Sequence, residues 1–303
     1  MAHDPQCAGS RPCGAPARPG SDPPRRPPQL CGPHAPPWRR ALAQGLRQGA
    51  AFLRACLATD CPLCRGAARG ARLCGECARD ASASLEGMRR CPRCDLPAFA
   101  AMRTGAAAGP QAQAGPAGCG CPLAQAPFEA LVSGFEYRPP ADQLVLRLKN
   151  RLQLSAAGAL AGLLARRVRQ APWAAQPDWW LVPVPASRAS LLRRGFNPAA
   201  EIARRLSGEL HWPVRGAWLR RVREPRAKQT RLGRRQRQLA ARDAYRAAPA
   251  VRGRKVALVD DVVTTGATAV AAAQALREAG AARVVVLAAA RTPAPGGPAD
   301  LAK

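Results

Sequence analysis

The sequence predicts an α/β fold, a doubly wound and mostly parallel sheet, preceded by a small cysteine-rich metal-binding module. Three observations carry that expectation. From Phe128 onward, strand-like apolar runs alternate with segments of helix length, the pattern of successive βα units. Within it, Lys255 to Thr268 (KVALVDDVVTTGAT) joins a continuous apolar run to two adjacent acids and a Thr/Gly turn that opens an Ala-rich helix. Upstream, eight cysteines fall in four close pairs between Cys61 and Cys121.

In chain order, residues 1–37 are rich in proline and nearly free of aliphatic side chains, as in PARPGSDPPRRPPQ, and are expected to form a disordered arm. They lack the apolar centre of a signal peptide, and no run in the sequence reaches the roughly 18 apolar residues of a membrane span. A cytoplasmic protein is expected. Residues 38–58 place Trp38, Leu42, Leu46, Leu53 and Leu57 opposite Arg39, Arg40, Arg47 and Arg54, the pattern of an amphipathic helix docked on the adjacent domain.

Residues 59–127 form the cysteine-rich module. Paired cysteines in a cytosolic chain point to metal rather than disulfides. Each CxxC turn offers two thiolates to one ion, and two turns complete a tetrahedral S₄ site suited to zinc. Sequential pairing gives Cys61, Cys64, Cys74 and Cys77 for one ion, and Cys91, Cys94, Cys119 and Cys121 for a second. The second set has a long spacer with the low-complexity run TGAAAGPQAQAGPAG and ends in CxC, so one or two structural zinc ions are expected.

Residues 128–293 form the α/β domain. Leu131 to Tyr137 reads as a strand, Ala141 to Lys149 and Ala156 to Val168 as helices, and Trp179 to Val184 (WWLVPV) as a second strand. A basic loop, SRASLLRRGFNP, leads to a helix with Asn197 as N-cap and Pro198 in its first turn. Val214 to Leu219 reads as another strand. REPRAKQTRLGRRQRQLAARDAYR carries many charges and few core residues, as expected of a mobile hood. Val256 to Val259 reads as a buried parallel strand, Ala267 to Ala279 as a helix stopped by Gly280, and Arg283 to Ala289 as the last strand, before a disordered tail at 294–303.

The candidate site lies at the end of the Val256 strand. Gly266 lets the backbone approach a ligand, and the following helix aims free N–H groups back at the turn, so an anion is expected there. Two acids directly before such a turn would repel a phosphate in contact with them. Asp260 and Asp261 therefore face something else, and ribose hydroxyls fit, because carboxylates accept hydrogen bonds from vicinal OH groups.

The VALVDDVVTTGAT stretch resembles the 5-phosphoribosyl-1-pyrophosphate (PRPP) signature of type I phosphoribosyltransferases. The paired-cysteine ribbon, VPVP, RRGFN, a QxxL basic segment and VDDVVTTGAT, in that order, resemble the ComF family of phosphoribosyltransferase-like proteins, over about Cys61 to Arg291. The resemblance implies a type I phosphoribosyltransferase fold behind a double zinc ribbon. It also implies that Asp260 and Asp261 bind ribose, and that Val262, Thr264, Thr265, Gly266, Ala267 and Thr268 hold the 5′-phosphate. Arg188 and Lys149 are further implied PRPP contacts, and Arg193, Arg194, Gly195 and Asn197 a pyrophosphate loop; Asp260, Asp261 and Arg194 are the implied catalytic residues. Gln229 and Leu232 match the family's hood. The chain departs from the family at Pro198, Asn150 and Ala240. Mg²⁺ is expected to arrive with PRPP, since two acids engaged with sugar make a poor metal cage.

The formal charge of +28 invites a nucleic-acid reading, but the basic residues are overwhelmingly arginine in an alanine-saturated chain, which also fits a coding bias. At 4% aromatic, the chain is too poor in rings for an extended base-stacking platform. Three functions stay open: a phosphoribosyltransferase releasing pyrophosphate with an unidentified acceptor, a non-catalytic PRPP-binding scaffold, and a competence factor that handles single-stranded DNA during DNA uptake. The last would have single-stranded DNA and competence or helicase proteins as partners.

Overall fold

The computed structural model describes residues 56–70, 72–86, 90–97, 123–224 and 244–293. The arm, most of the helix expected over 38–58, Cys119 and Cys121, the hood positions Gln229, Leu232 and Ala240, and the tail lie outside the described residues. Among the described residues, no helix is long and apolar enough to cross a membrane.

Four parallel strands form the central sheet: β3 (Leu131–Glu136), β8 (Arg283–Arg291), β7 (Lys255–Val263) and β4 (Trp179–Pro183), in that order across it. Their side chains are nearly all buried, as a parallel sheet covered on both faces requires. One face is covered by α2 (Asp142–Arg151), α3 (Leu154–Arg169) and α5 (Pro198–Leu210), with Leu144, Leu148, Leu160, Leu164, Ile202 and Leu206 fully enclosed. α6 (Ala267–Glu278) covers the other, where its alanines meet Val256, Leu258, Val284 and Val286. The expected doubly wound α/β architecture is therefore present. Close helix–sheet approach depends on small residues. A Cβ on Gly134 of β3 would stand 2.9 Å from Ala289 O and 3.1 Å from Leu164 N.

Ahead of the sheet, β1 (Ala58–Asp60) and β2 (Ala67–Arg69) pair antiparallel around the first CxxC turn, and α1 (Gly75–Ala83) carries the second. Cys91 and Cys94, by contrast, are buried in the core layer beneath α6, with Leu123 and Phe128.

Three local expectations need correction. The stretch read as a basic loop holds a short helix, α4 (Arg188–Arg194), capped by Ser187, whose side chain accepts from Ser190 N–H, and closed by Gly195 at φ 76°. The strand expected over Val214 to Leu219 is instead an isolated bridge from Val214 to Leu181, a 3₁₀ turn at Gly216–Trp218, and β5 (Leu219–Arg221) paired with β6 (Tyr245–Ala247). Finally, β7 continues through both acids to Val263, because β8 pairs with it that far: Asp260 lies beside Ala288 and Val263 beside Arg291.

Candidate functional site

The length of β7 makes the site. Its pairing with β4 ends at Val259 and Pro183, followed by one Val184 N–H to Val259 O bond of 2.8 Å. Residues 260–263 therefore continue along β8 beyond the last β4 pair, with no ladder partner on that side. The carboxyl end of a central parallel strand is where sheets of this kind take ligands.

Asp260 and Asp261 alternate across the strand and have different surroundings. Asp260 is 9% exposed, and one of its oxygens accepts the Asp261 N–H at 2.9 Å. Burial, and secondarily the neighbouring Asp261 charge, raise its pKa from 3.8 to about 7. Asp261 accepts the Val262 N–H at 2.6 Å and pairs with Lys149 of α2 at 3.0 Å. Lys149 thus offsets the charge of Asp261.

Beyond Val263 the chain turns through Thr264 and Thr265, both exposed, to Gly266 at φ 83°, the N-cap of α6. Thr265 Oγ1 accepts from Ala267 N–H at 3.4 Å. Thr268 is exposed in the first helical turn, and Val262 and Ala267 are half-buried. The N-terminus of a 12-residue helix with no side-chain cap bond at Gly266 therefore directly follows the two acids and the Thr turn. Its N–H groups and dipole suit an anion.

On the β4 side, α4 carries Arg188 and Arg193, both exposed, and Arg194, half-buried. Among the described residues none of the three forms an ion pair, and Glu224 accepts only the backbone N–H of Arg188, at 2.9 Å. Asn197 is committed elsewhere. It caps α5 by accepting Ala199 N–H at 3.1 Å and donates to Val184 O at 2.9 Å, fixing the chain where β4 ends.

Three residues of this neighbourhood carried no sequence signal. Arg221 donates to Pro185 O at 3.4 Å and to the Tyr245 hydroxyl, stacks 4.7 Å from the Tyr245 ring, and draws the Asp260 pKa down. Burial, opposed in part by Arg221, holds the Tyr245 hydroxyl above its ordinary pKa. Arg291, at the end of β8, lies under the turn and donates to Val263 O at 2.8 Å, to Thr264 O, and to Cys94 O at 3.1 Å.

The first cysteine set gathers as expected. The sulfurs of Cys61, Cys64, Cys74 and Cys77 all lie within 4.8 Å of one another, and Cys64 and Cys74 are 3.7 Å apart. Four sulfurs about 2.3 Å from a tetrahedral zinc stand at about that spacing. Gly66 N–H, Cys74 N–H and Cys77 N–H point at the sulfurs of Cys64, Cys61 and Cys74. Burial pushes the Cys61 thiol up, but hydrogen bonds led by that from Cys74 N–H outweigh it and bring it to about 6, whereas burial and the neighbouring thiols push Cys77 far up. A divalent cation would remove the like-charge penalty that opposes further ionisation. The residues therefore fit zinc in a closed, structural site.

The Cys91–Cys94 turn repeats the first turn's geometry. Cys61 N–H to Gly66 O (2.7 Å) and Arg65 N–H to Cys61 O (2.9 Å) recur as Cys91 N–H to Leu96 O (2.9 Å) and Asp95 N–H to Cys91 O (2.8 Å). Arg65 and Asp95 both take positive φ, 67° and 53°.

Comparison with known proteins follows the same lines. Residues 189–300 match the phosphoribosyl transferase domain family. Over 227 residues the chain is 35% identical to the DNA utilization protein YhgH of Salmonella typhimurium, covering 73% of this chain and 90% of that protein. Over 175 residues it is 32% identical to competence protein F of Haemophilus influenzae, covering 55% of this chain and 76% of that protein. A solved structure of the allosteric regulatory enzyme of purine biosynthesis is similar at 24% identity over 44% of this chain and 26% of that one, with a TM-score of 0.30.

Proposed function

Because the chain belongs to the ComF family of phosphoribosyltransferase-like proteins, we propose that it binds Mg²⁺-PRPP at the carboxyl end of β7 and transfers the phosphoribosyl group to an acceptor. The observation that carries this reading is one continuous backbone segment. Asp260 and Asp261 stand where β7 extends beyond its pairing with β4, and the next residues turn through Thr264, Thr265 and Gly266 into the N-terminus of α6.

Asp260 and Asp261 would accept from the ribose hydroxyls, and the N–H groups of residues 264–268 would hold the 5′-phosphate. Arg188, Arg193 and Arg194 of α4 would attract the pyrophosphate. Mg²⁺ would be carried by the ligand's phosphates and would spread the leaving group's charge. In the reaction, the acceptor's lone pair forms a bond to ribose C1 as the C1–O bond breaks. Pyrophosphate leaves with the electron pair, and the acceptor's proton passes to solvent. Positive charge grows on the sugar beside the two acids and negative charge on the departing group beside the arginines, so both are stabilised where they develop.

The relatives' names, DNA utilization and competence, support nucleic acid or its breakdown products as the acceptor class and DNA uptake as the setting. The test is pyrophosphate release from Mg²⁺-PRPP across a panel of bases, nucleosides and oligonucleotides. Release that depends on one acceptor and is lost in Arg194→Ala supports transfer. Saturable PRPP binding with no release from any acceptor would instead leave a non-catalytic PRPP-binding protein.

A further inference from the structure

The peptides that form the phosphate turn are oriented from below. In a trans peptide the C=O and N–H point in opposite directions. Drawing the carbonyls of Val263 and Thr264 inward therefore turns the N–H groups of Thr264 and Thr265 outward. Arg291 does this. It is 4% exposed, and its guanidinium donates to both carbonyls, to Val263 O at 2.8 Å. Thr292 N–H adds a second donor to Val263 O at 3.0 Å. The third acceptor of Arg291, Cys94 O at 3.1 Å, belongs to the cysteine turn at 91–94.

That cysteine turn is anchored in its own right. Asp95 accepts Ser133 N–H at 2.7 Å and the Ser133 hydroxyl, and faces Arg90 and Arg167 at 3.3 Å. Pro92 O accepts Leu131 N–H at 3.0 Å. A second contact reaches the phosphate turn from the same module. Leu123, 2% exposed, covers Gly266 so closely that a Cβ there would stand 2.8 Å from Leu123 Cδ2. The first cysteine cluster makes a different junction, with α2, where Arg147 donates to Pro62 O and Leu63 O.

We propose that Arg291 is the positioning residue of the phosphate turn, and that the Cys91–Cys94 turn, through its bond to Arg291, and Leu123, against Gly266, are working parts of the PRPP site rather than of a separate module. The inference rests on reading residues 264–268 as the 5′-phosphate cradle. A planar fork of five donors can bridge three carbonyls, whereas a lysine ammonium supplies one point of attachment.

The experiment uses the full chain and compares Arg291→Lys, Leu123→Ala and, as a control, Arg283→Lys, the same exchange at the opposite end of β8, where Arg283 pairs with Glu129. It reads Mg²⁺-PRPP affinity by calorimetry and amide exchange peptide by peptide. Losing charge-assisted bonds to the turn should weaken PRPP binding by roughly ten- to a hundredfold in Arg291→Lys. Exchange should speed selectively across residues 262–268. Leu123→Ala should shift both readouts the same way by less, and Arg283→Lys should shift neither. Unchanged affinity and unchanged exchange at 262–268 in both test variants would overturn the proposal, as would exchange that rises evenly over the whole sheet, the mark of simple destabilisation. If the parent chain binds no PRPP, the ligand reading fails by itself, and the local exchange pattern still decides whether Arg291 and Leu123 hold the turn.

Discussion

Replacing Asp260 by asparagine should make the free protein more stable while disabling its site. In the folded state burial, then the Asp261 charge, raise the Asp260 pKa from 3.8 to about 7. Between those values the folded protein holds a proton that the unfolded chain has released, so stability falls as pH rises through that window and levels off above pH 7. The difference between 3.8 and about 7 corresponds to about 4 kcal/mol. Asp260→Asn retains an acceptor for the Asp261 N–H, now met by Asp260 at 2.9 Å, and never ionises. Its advantage over the parent should be about 4 kcal/mol at pH 8 and shrink below about 2 kcal/mol at pH 5. Urea denaturation followed by tryptophan fluorescence at the two pH values measures it. An advantage that is the same at both, or a variant less stable than the parent at pH 8, would refute the argument that Asp260 is held in an environment hostile to its charge.

Other consequences follow from single contacts. Lys149→Met removes the partner 3.0 Å from Asp261 in a partly buried pair, which should cost about 1–3 kcal/mol in thermal or chemical denaturation and weaken Mg²⁺-PRPP binding, since an uncompensated acid would then face the ligand. Gly134→Ala forces a methyl against Ala289 O and Leu164 N, backbone atoms that cannot swing aside, so a loss of about 1–3 kcal/mol in urea denaturation is expected. Elemental analysis should find zinc in the purified chain, and Cys74→Ser should lower it by about one ion per chain, as removal of one of four ligands from a closed site requires.

Much of this was legible in the sequence, for physical reasons that differ by element. The uninterrupted apolar runs of β7 and β4 announce strands buried on both faces, and the Asn197-Pro198 cap announces α5. Cys61 to Cys77 was legible because two CxxC turns joined by a short spacer can hardly avoid one another. The extra length of β7 was not, since it is set by pairing with β8 at Asp260, Val262 and Val263 rather than by local pattern. Nor was α4, whose Leu191 and Leu192 are exposed and leave no buried stripe; only Ser187 and Gly195 at its ends hinted at it. Arg221, Tyr245 and Arg291 were illegible because their partners stand 24 to 197 residues away, and an arginine-rich chain gives no reason to single out any one guanidinium.

In this reading PRPP is held by the end of β7 beyond its pairing with β4 and by the turn after it. Calorimetric titration of the full chain with Mg²⁺-PRPP tests it most directly, in the parent and in Asp261→Asn. Saturable binding at one site per chain is expected, weakened roughly tenfold or more by loss of one carboxylate acceptor. Absence of binding to the parent, or equal affinity in the two proteins, would contradict it.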